Sequence, residues 1–397
     1  MQLPIQPFLK SLLTFLLVIG NLSLNSHASP LNGLPHSAGL WVEQHPEFNQ
    51  QAEQPQVPAS TLKLLTAYYA LQRLGPSYQF KTPLWLDADG ILWLQGKGDP
   101  GLTSEVLQKL AKALRSKGLK KIKGVGIDGS YFASNQVPDG IGNSHNPYDA
   151  HPGAAIANYN TVALKRDGGS IISPEWQTPM TKAAYQQAPR LPGLEGRINL
   201  GPDSRTQQLH LAELLAIFLR LEGISVGNSL KTGTLPASAK PYLTFINPQP
   251  LSQLLEGMLK YSNNLIANQL FLVLGAEQLG APATLTKAQL AIQSFIVSEF
   301  DWRNVQIAEA AGLSRQNQLS PAQLGQLLDK MRPYQNLLNL ERPGVQAKTG
   351  TLSDTSTLAG YLEVKGQWLA FALMLPQANA QQLRFELAER LRNALNK

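Results

Sequence analysis

Apolar positions run in blocks at both ends of the chain and thin out between them. From residue 60 to 74 nearly every position is apolar or a helix former, and Gly75-Pro76 stops the run. This predicts a helix buried on almost every face. Ahead of it, residues 39–43 alternate as a short strand, and a polar, Gln-rich stretch leads to Val57-Pro58-Ala59. Strand-like pieces at 80–86 and 91–95 precede a Gly-Lys-Gly-Asp-Pro-Gly loop at 96–101 and an amphipathic helix near 103–117. A β-run at 122–127 is followed by a loop rich in Gly, Asn and Pro that reaches Gly153. The stretch 160–205 reads as strands and loops, and a strong helix covers 209–222. Helices return at 249–274, 284–299 and 321–332. Residues 347–352 then precede two alternating strands, 357–364 and 367–375, joined at Lys365-Gly366, and an amphipathic helix at 380–395. No repeat period is visible. The pattern is α/β (α+β): helices against an antiparallel sheet at both chain ends, with a separate α+β region between.

The first 28 residues follow another logic. A positive start (the amino terminus and Lys10) leads into an apolar stretch at 12–19, and Ser26-His27-Ala28 supplies a small-x-small cleavage site. This reads as a secretory signal peptide over 1–28, too short in its apolar part to span a membrane. The expectation is an exported, soluble, periplasmic protein whose membrane contact is at most peripheral. Among 397 residues, 43% hydrophobic and 15% charged, there is no cysteine. That excludes disulfides, thiolate nucleophiles, Cys–zinc sites and lipoprotein anchoring. The six histidines are scattered without ligand spacing, so no metal and no cofactor is expected. A net charge of +7 permits an anionic partner. No nucleic acid is expected, because no nucleic-acid-binding motif occurs.

Candidate chemistry begins at Ser60-Thr61-Leu62-Lys63. A serine and a lysine three apart lie on one helical face, one turn from each other. Ser60 stands near the positive end of the helix dipole, and Lys63 is the only charge in an apolar turn. Burial depresses a lysine's pKa, so a neutral amine could take the serine's proton. A serine hydrolase with a lysine base needs two more parts: a Ser-x-Asn that relays protons, and a Lys-Thr-Gly on a strand that binds a carboxylate. Each occurs twice. Ser144-His145-Asn146 runs into Pro147 inside a loop, whereas Ser262-Asn263-Asn264 interrupts a helical stretch. Lys231-Thr232-Gly233 is followed by Pro236 and Pro241, which argue against a central strand, whereas Lys348-Thr349-Gly350 leads into two well-alternating strands. Context favours Ser262 with Lys348. The long stretch from Ser60 to Ser262 then leaves room for an inserted domain.

Pro58-Ala59-Ser60-Thr61-Leu62-Lys63, Tyr261-Ser262-Asn263-Asn264-Leu265-Ile266-Ala267 and Ala347-Lys348-Thr349-Gly350-Thr351-Leu352 resemble the three motifs of the serine penicillin-binding enzymes. Gly98-Asp99-Pro100-Gly101-Leu102-Thr103, Asn160-Thr161-Val162 and Gly312-Leu313-Ser314-Arg315 narrow the resemblance. Together they are similar to the penicillin-binding protein 4-type D-alanyl-D-alanine carboxypeptidase/endopeptidases, across nearly the whole mature chain. The resemblance implies a transpeptidase-like domain, 29–81 and 247–397, with an inserted region at 82–246 that is short for the family. The family's acidic residue ahead of Gly-Leu-Ser-Arg stands displaced, at Glu309-Ala310-Ala311.

By the same resemblance Ser60 attacks the carbonyl between the two terminal D-alanines and Lys63 accepts its proton. Ser262 relays that proton to the leaving D-alanine, and Asn264 orients Lys63 and the peptide. Lys348 and Thr349 bind the terminal carboxylate, Gly350 belongs to the same motif, and the N–H groups of Ser60 and Thr351 form the oxyanion hole. Arg315 and Leu352 line a substrate side-chain pocket with Tyr148 as its aromatic wall, and the acidic recognition residue falls at Asp139 or Asn143. The implied partners are peptidoglycan stem peptides, with β-lactams as covalent inhibitors. The basic run Lys109, Lys112, Arg115, Lys117, Lys120, Lys121, Lys123 could meet an anionic wall polymer or form a solvated face. Two rival functions share the parts. A β-lactamase would need a water activator, and no Glu-x-x-Leu-Asn follows Ser262, although Tyr261-Ser262-Asn263 mimics the Tyr-x-Asn of another lactamase class. A non-catalytic scaffold for wall peptide has no need of three intact motifs.

Overall fold

The structure, a computed structural model, describes residues 31–397, so the signal-like segment at 1–28 lies outside the described residues. The chain enters through β1 (Gly39–Val42) and reaches helix α1 (Lys63–Leu74) just after Ser60. A second region begins with β2 (Gln79–Leu86), β3 (Ile91–Gln95), α2 (Ser104–Ser116) and β4 (Lys121–Asp128). It continues through β5 (Thr161–Asp167), β6 (Ser170–Ile172), α3 (Lys182–Gln187) and β7 (Glu195–Asn199), and ends with α4 (Ser204–Leu221), β8 (Ser225–Gly233) and β9 (Lys240–Pro250). The chain then returns with helices α5 (Leu251–Lys260), α6 (Asn264–Leu279), α7 (Leu285–Phe300) and α8 (Pro321–Met331). Strands β10 (Asn339–Arg342), β11 (Val345–Leu352), β12 (Thr355–Val364) and β13 (Gln367–Leu375) and helix α9 (Gln381–Leu395) complete it.

The two chain ends meet in one antiparallel sheet of order β1-β13-β12-β11-β10. Both of its faces are covered, which is why β12 and β13 are buried at nearly every position and not at the alternate ones expected of them. Leu358, Leu362, Phe371 and Leu373 pack under α9 with Leu387 and Leu391. The intervening positions, Ala359, Tyr361, Ala372 and Met374, face the larger core built on α1, α5, α6 and α8. Strand β10 pairs only with Val345, Gln346 and Ala347, so among the described residues the outer edge of β11 is unpaired from Lys348 onward.

The region between forms a second sheet of order β8-β4-β3-β2-β9, parallel at its β3–β4 and β4–β8 steps. Its core is separate: Leu107, Leu110 and Leu114 of α2 and Leu211, Leu215 and Phe218 of α4 pack on Leu94, Val125 and Ile127. A small third sheet, β6-β5-β7, carries its own cluster around Leu164 and Ile198.

Three expectations are revised. Helix α4 starts at Ser204 and not at 209, because the Asp203 carboxylate accepts from Arg205 and Thr206 N–H and caps it there. The helical stretch expected over 249–274 is two helices, broken where Ser262 takes a left-handed φ of 51° and Asn263 caps α6 by accepting from Ile266 N–H. Strands β8 and β9 were not foreseen. They are the edges of the second sheet, where Pro241 can stand without breaking a ladder, and they hold Lys231-Thr232-Gly233 on an edge and not a central strand.

Helices α6 and α7 approach at Gly275, where an added Cβ would lie 2.7 Å from Ala288 backbone atoms. Gly275→Leu is expected to push the pair apart and lower stability by about 1–3 kcal/mol, read as a lower urea midpoint.

Candidate active site

Ser60 lies in a single 3-10 turn, Ala59–Leu62, that runs straight into α1. The turn enters through Ala59 in a left-handed conformation, φ 48°. Lys63, one turn on, is 0% exposed. Its Nζ lies 2.9 Å from Ser60 Oγ, 2.8 Å from Asn264 Oδ1 and 2.6 Å from the Ala311 carbonyl oxygen. Two of these partners are pure acceptors and the third is a hydroxyl, which can donate or accept. A neutral amine has two N–H groups and one lone pair, so it satisfies all three if the Ser60 hydroxyl donates to Nζ. Burial drives the Lys63 pKa well below the ordinary lysine range, the charge of Lys348 adds to this, and Glu309 opposes it. The arrangement suits a lysine that withdraws a proton from the serine.

Asn264 is the first residue of α6, and its amide bridges two segments: Oδ1 accepts from Lys63 and Nδ2 donates to the Tyr148 carbonyl at 3.1 Å. Tyr148, Tyr159, Thr161, Tyr261 and Ser262 line a cavity of about 240 Å³ beside it. Ser262 is half-buried there and, among the described residues, makes no hydrogen bond to Ser60 or Lys63.

Gly350 brings β11 against the Ser60 turn. A Cβ there would lie 2.1 Å from Thr357 Oγ1 and 2.9 Å from Ser60 N. Lys348, 3% exposed, donates from Nζ to the Thr349 carbonyl at 2.6 Å. Burial lowers its pKa to about 8, with Arg384 lowering it further and Glu341 opposing. Thr349 is half-buried and Thr351 exposed along the open edge. Beneath them the buried Arg384 of α9 donates to the Gly350 carbonyl at 2.6 Å and to Thr351 Oγ1 at 2.9 Å.

The segment after α7 supplies the fourth wall. Glu309 is 0% exposed, and its carboxylate accepts from Ala311 N–H at 2.7 Å, Leu313 N–H at 2.7 Å, Asn268 Nδ2 at 3.0 Å and Asn317 Nδ2 at 2.7 Å. It folds the loop so that the Ala311 carbonyl faces Lys63. Gly312, at φ 79°, packs so tightly that a Cβ would stand 1.9 Å from the Ala59 carbonyl oxygen. Asp139 accepts a short hydrogen bond from Ser314 Oγ, which ties it to this loop, while Asn143 is exposed. Arg315 is held at the β11–β12 turn by Ser353 Oγ and Asp354, both at 3.0 Å, with the half-buried Leu352 alongside in sequence.

The structure therefore brings Ser60, Lys63, Asn264 and Lys348-Thr349-Gly350 together. The duplicate motifs make no contact with Ser60 or Lys63 among the described residues: Ser144 donates to Asp149 and accepts from Asn146, which also donates to the Tyr148 hydroxyl at the cavity rim, and Lys231 pairs with Asp89 on the edge of the second sheet. Sequence reasoning missed Arg384 and the Ala311 carbonyl. Arg384 is one arginine among several on an amphipathic helix, and a backbone carbonyl has no sequence signature.

The model of the D-Ala-D-Ala carboxypeptidase 3 (S13) family matches residues 41–342, most of the chain, ending just before β11. A D-alanyl-D-alanine carboxypeptidase, DacB, of Haemophilus influenzae is 26% identical over 380 residues, 79% of each chain. A D-alanyl-D-alanine carboxypeptidase of Actinomadura sp. is 23% identical over 82% of this chain and 74% of its own. Among solved structures, penicillin-binding protein 4 of Haemophilus influenzae aligns with a TM-score of 0.73 at 23% identity, over 92% of this chain and 98% of that one. A predatory peptidoglycan endopeptidase of Bdellovibrio bacteriovorus gives 0.52 at 15% identity, over 87% of each chain. The penicillin-binding, β-lactamase-like fold is the one described above.

Gly312→Ala is expected to displace the Ser60 turn and slow labelling by a fluorescent β-lactam about 100-fold, since ~1 Å of misplacement costs about that much. Stopped-time labelling on gels checks it, beside a thermal melt showing the variant folded.

Proposed function

The chain belongs to the D-Ala-D-Ala carboxypeptidase 3 (S13) family and is a serine hydrolase, and from that premise we propose that it works as a periplasmic DD-peptidase on peptidoglycan stem peptides. The observation that carries this reading is Lys63, fully buried and 2.9 Å from Ser60 Oγ. Ser60 Oγ attacks the carbonyl between the two terminal D-alanines as Lys63 Nζ takes its proton. The N–H groups of Ser60 and Thr351 hold the oxyanion, worth about 3–4 kcal/mol in such sites. Ser262 passes the proton to the leaving nitrogen, D-alanine departs, and water hydrolyses the acyl-serine. Lys348 and Thr349 bind the terminal carboxylate.

The unpaired edge of β11 supports an extended peptide lying alongside it as an added strand. A D-centre in a cross-link also carries a carboxylate next to its amide, so endopeptidase cleavage uses the same contacts. Tyr148 and Leu352 flank the substrate side chain, while Arg315, already paired with Asp354, shapes the rim. The peptidase domain comprises 29–81 and 247–397, and 82–246 is an insertion with its own core. β-Lactams acylate the same serine. Glu309, occupied by backbone and amide donors, is not placed to activate water, which disfavours a β-lactamase.

A β-lactam adduct mapped by mass spectrometry is expected on Ser60, and one on another serine overturns the assignment. Lys348→Ala and Ser262→Ala are expected to slow acylation about 10²–10³-fold, whereas Lys231→Ala and Ser144→Ala leave it unchanged. Digestion of purified muropeptides then reports whether D-alanine or a cleaved cross-link is released.

Lys348 loses its positive charge as pH rises through about 8. The kcat/KM for a peptide with a free terminal carboxylate is therefore expected to fall across that value. Lys348→Arg, which stays charged, moves the fall upward, and a profile that is flat there removes Lys348 from carboxylate binding.

A further inference from the structure

One end of the second sheet gathers positive charge that the chemistry above does not use. Strands β4 and β8 are parallel and each follows a helix running back over the sheet, so α2 and α4 end where these strands begin. Ser225 N–H donates to the Lys120 carbonyl at 2.9 Å, fixing the two crossovers side by side. Lys123 N–H donates to the Gly90 carbonyl at 2.8 Å, and Lys240 pairs with Leu86, so the β2–β3 turn and the start of β9 lie at this same end.

Lys117, Lys120, Lys121 and Lys123 are exposed there, flanked by exposed Arg115 and Arg220 and by Lys240 at the start of β9. None of these cations forms an ion pair among the described residues. The Arg220 guanidinium donates only to the neutral carbonyls of Val226 and Gly227, and Lys117 Nζ stands over the Tyr242 ring at 5.9 Å. The carboxylates at this end are few. Asp89 is matched by Lys231, Asp87 is buried on Trp93 Nε1 and Ile91 N–H, and Glu222 is half-buried. Leu221, beside Arg220, is 72% exposed. The opposite end of the sheet leads through Gly98, packed on Val273 and Phe132, into the peptidase core.

We propose that this basic end is a docking face for a membrane surface of anionic phospholipid. Lysines on long apolar stems beside one exposed leucine match a fluid headgroup layer, which takes the charges at its surface and the leucine at its acyl boundary. Among the described residues no exposed aromatic platform or planar array of arginines accompanies them, as base stacking or bidentate phosphate recognition would need. Docking by this end leaves the Ser60 site, at the other end of the sheet, turned away from the bilayer.

The test is co-sedimentation with vesicles of phosphatidylglycerol mixed into phosphatidylcholine, against vesicles of phosphatidylcholine alone. Binding is expected only to the anionic vesicles, reversed by salt, with each cation removed weakening partitioning about fivefold. Lys117→Gln/Lys120→Gln/Lys121→Gln is expected to stay in the supernatant while labelling with fluorescent β-lactam at the wild-type rate. If the triple variant does not fold, the exposed single substitutions Lys120→Gln and Lys121→Gln carry the same comparison. Failure to bind anionic vesicles, binding that survives the substitutions, or lysine-dependent binding to purified peptidoglycan in place of vesicles overturns the proposal.

Discussion

A fully buried lysine amine sits among a hydroxyl, an amide oxygen and a backbone carbonyl, and the other parts of the site are arranged around it. An ammonium buried this way is costly to keep charged, so the same enclosure that makes Lys63 a base requires that its partners be held without error. Each partner comes from a different segment: Ser60 from the turn before α1, Asn264 from the start of α6, Ala311 from the loop after α7. Three stretches far apart in sequence are thus pinned to one nitrogen.

The surrounding glycines and polar groups make that convergence sterically possible. Gly312 and Gly350 press on the Ser60 turn at its Ala59 carbonyl and its Ser60 N, and a Cβ at either position would drive the walls apart. Glu309 and Arg384 act from behind. The carboxylate gathers N–H groups so that one carbonyl is free for Lys63, and the guanidinium grips the carbonyl of Gly350 on the strand that carries Lys348. Both are buried charges met by several hydrogen bonds, the condition under which a buried charge is tolerable. The segment between β4 and β5 contributes its 3-10 turn at Pro147–Asp149, which receives the Asn264 amide through the Tyr148 carbonyl.

The long periodic elements were legible in the chain itself. Helix α1 announced itself as apolar all round, and β12 and β13 as strands joined at Lys365-Gly366, because burial on a helix face or in a pleated sheet marks the residues that make it with an apolar run or a period. The edge strands β8 and β9 were not legible, since half-exposed positions and prolines such as Pro241 relax that period. The duplicate motifs at Ser144 and Lys231 have the same residue types as those at Ser262 and Lys348 and differ in their surroundings. Helix and strand context alone separated them, and in the structure Asn264 of the later Ser-x-Asn contacts Lys63 while Gly350 of the later Lys-Thr-Gly packs on the Ser60 turn.

The sequence by itself determined the chemistry on offer: a serine one turn before a lysine in an apolar helix, no thiol, and a cation with a hydroxyl ahead of paired strands. Such features are local, and local spacing is written in residue order. Only the tertiary structure decided that Ala311 supplies a carbonyl to Lys63, that Arg384 underpins β11, that the edge of β11 opens at Lys348, and that cations from separate connections collect at one end of the second sheet. These depend on backbone atoms and on contacts across the chain, and neither leaves a periodic mark in the order of side chains.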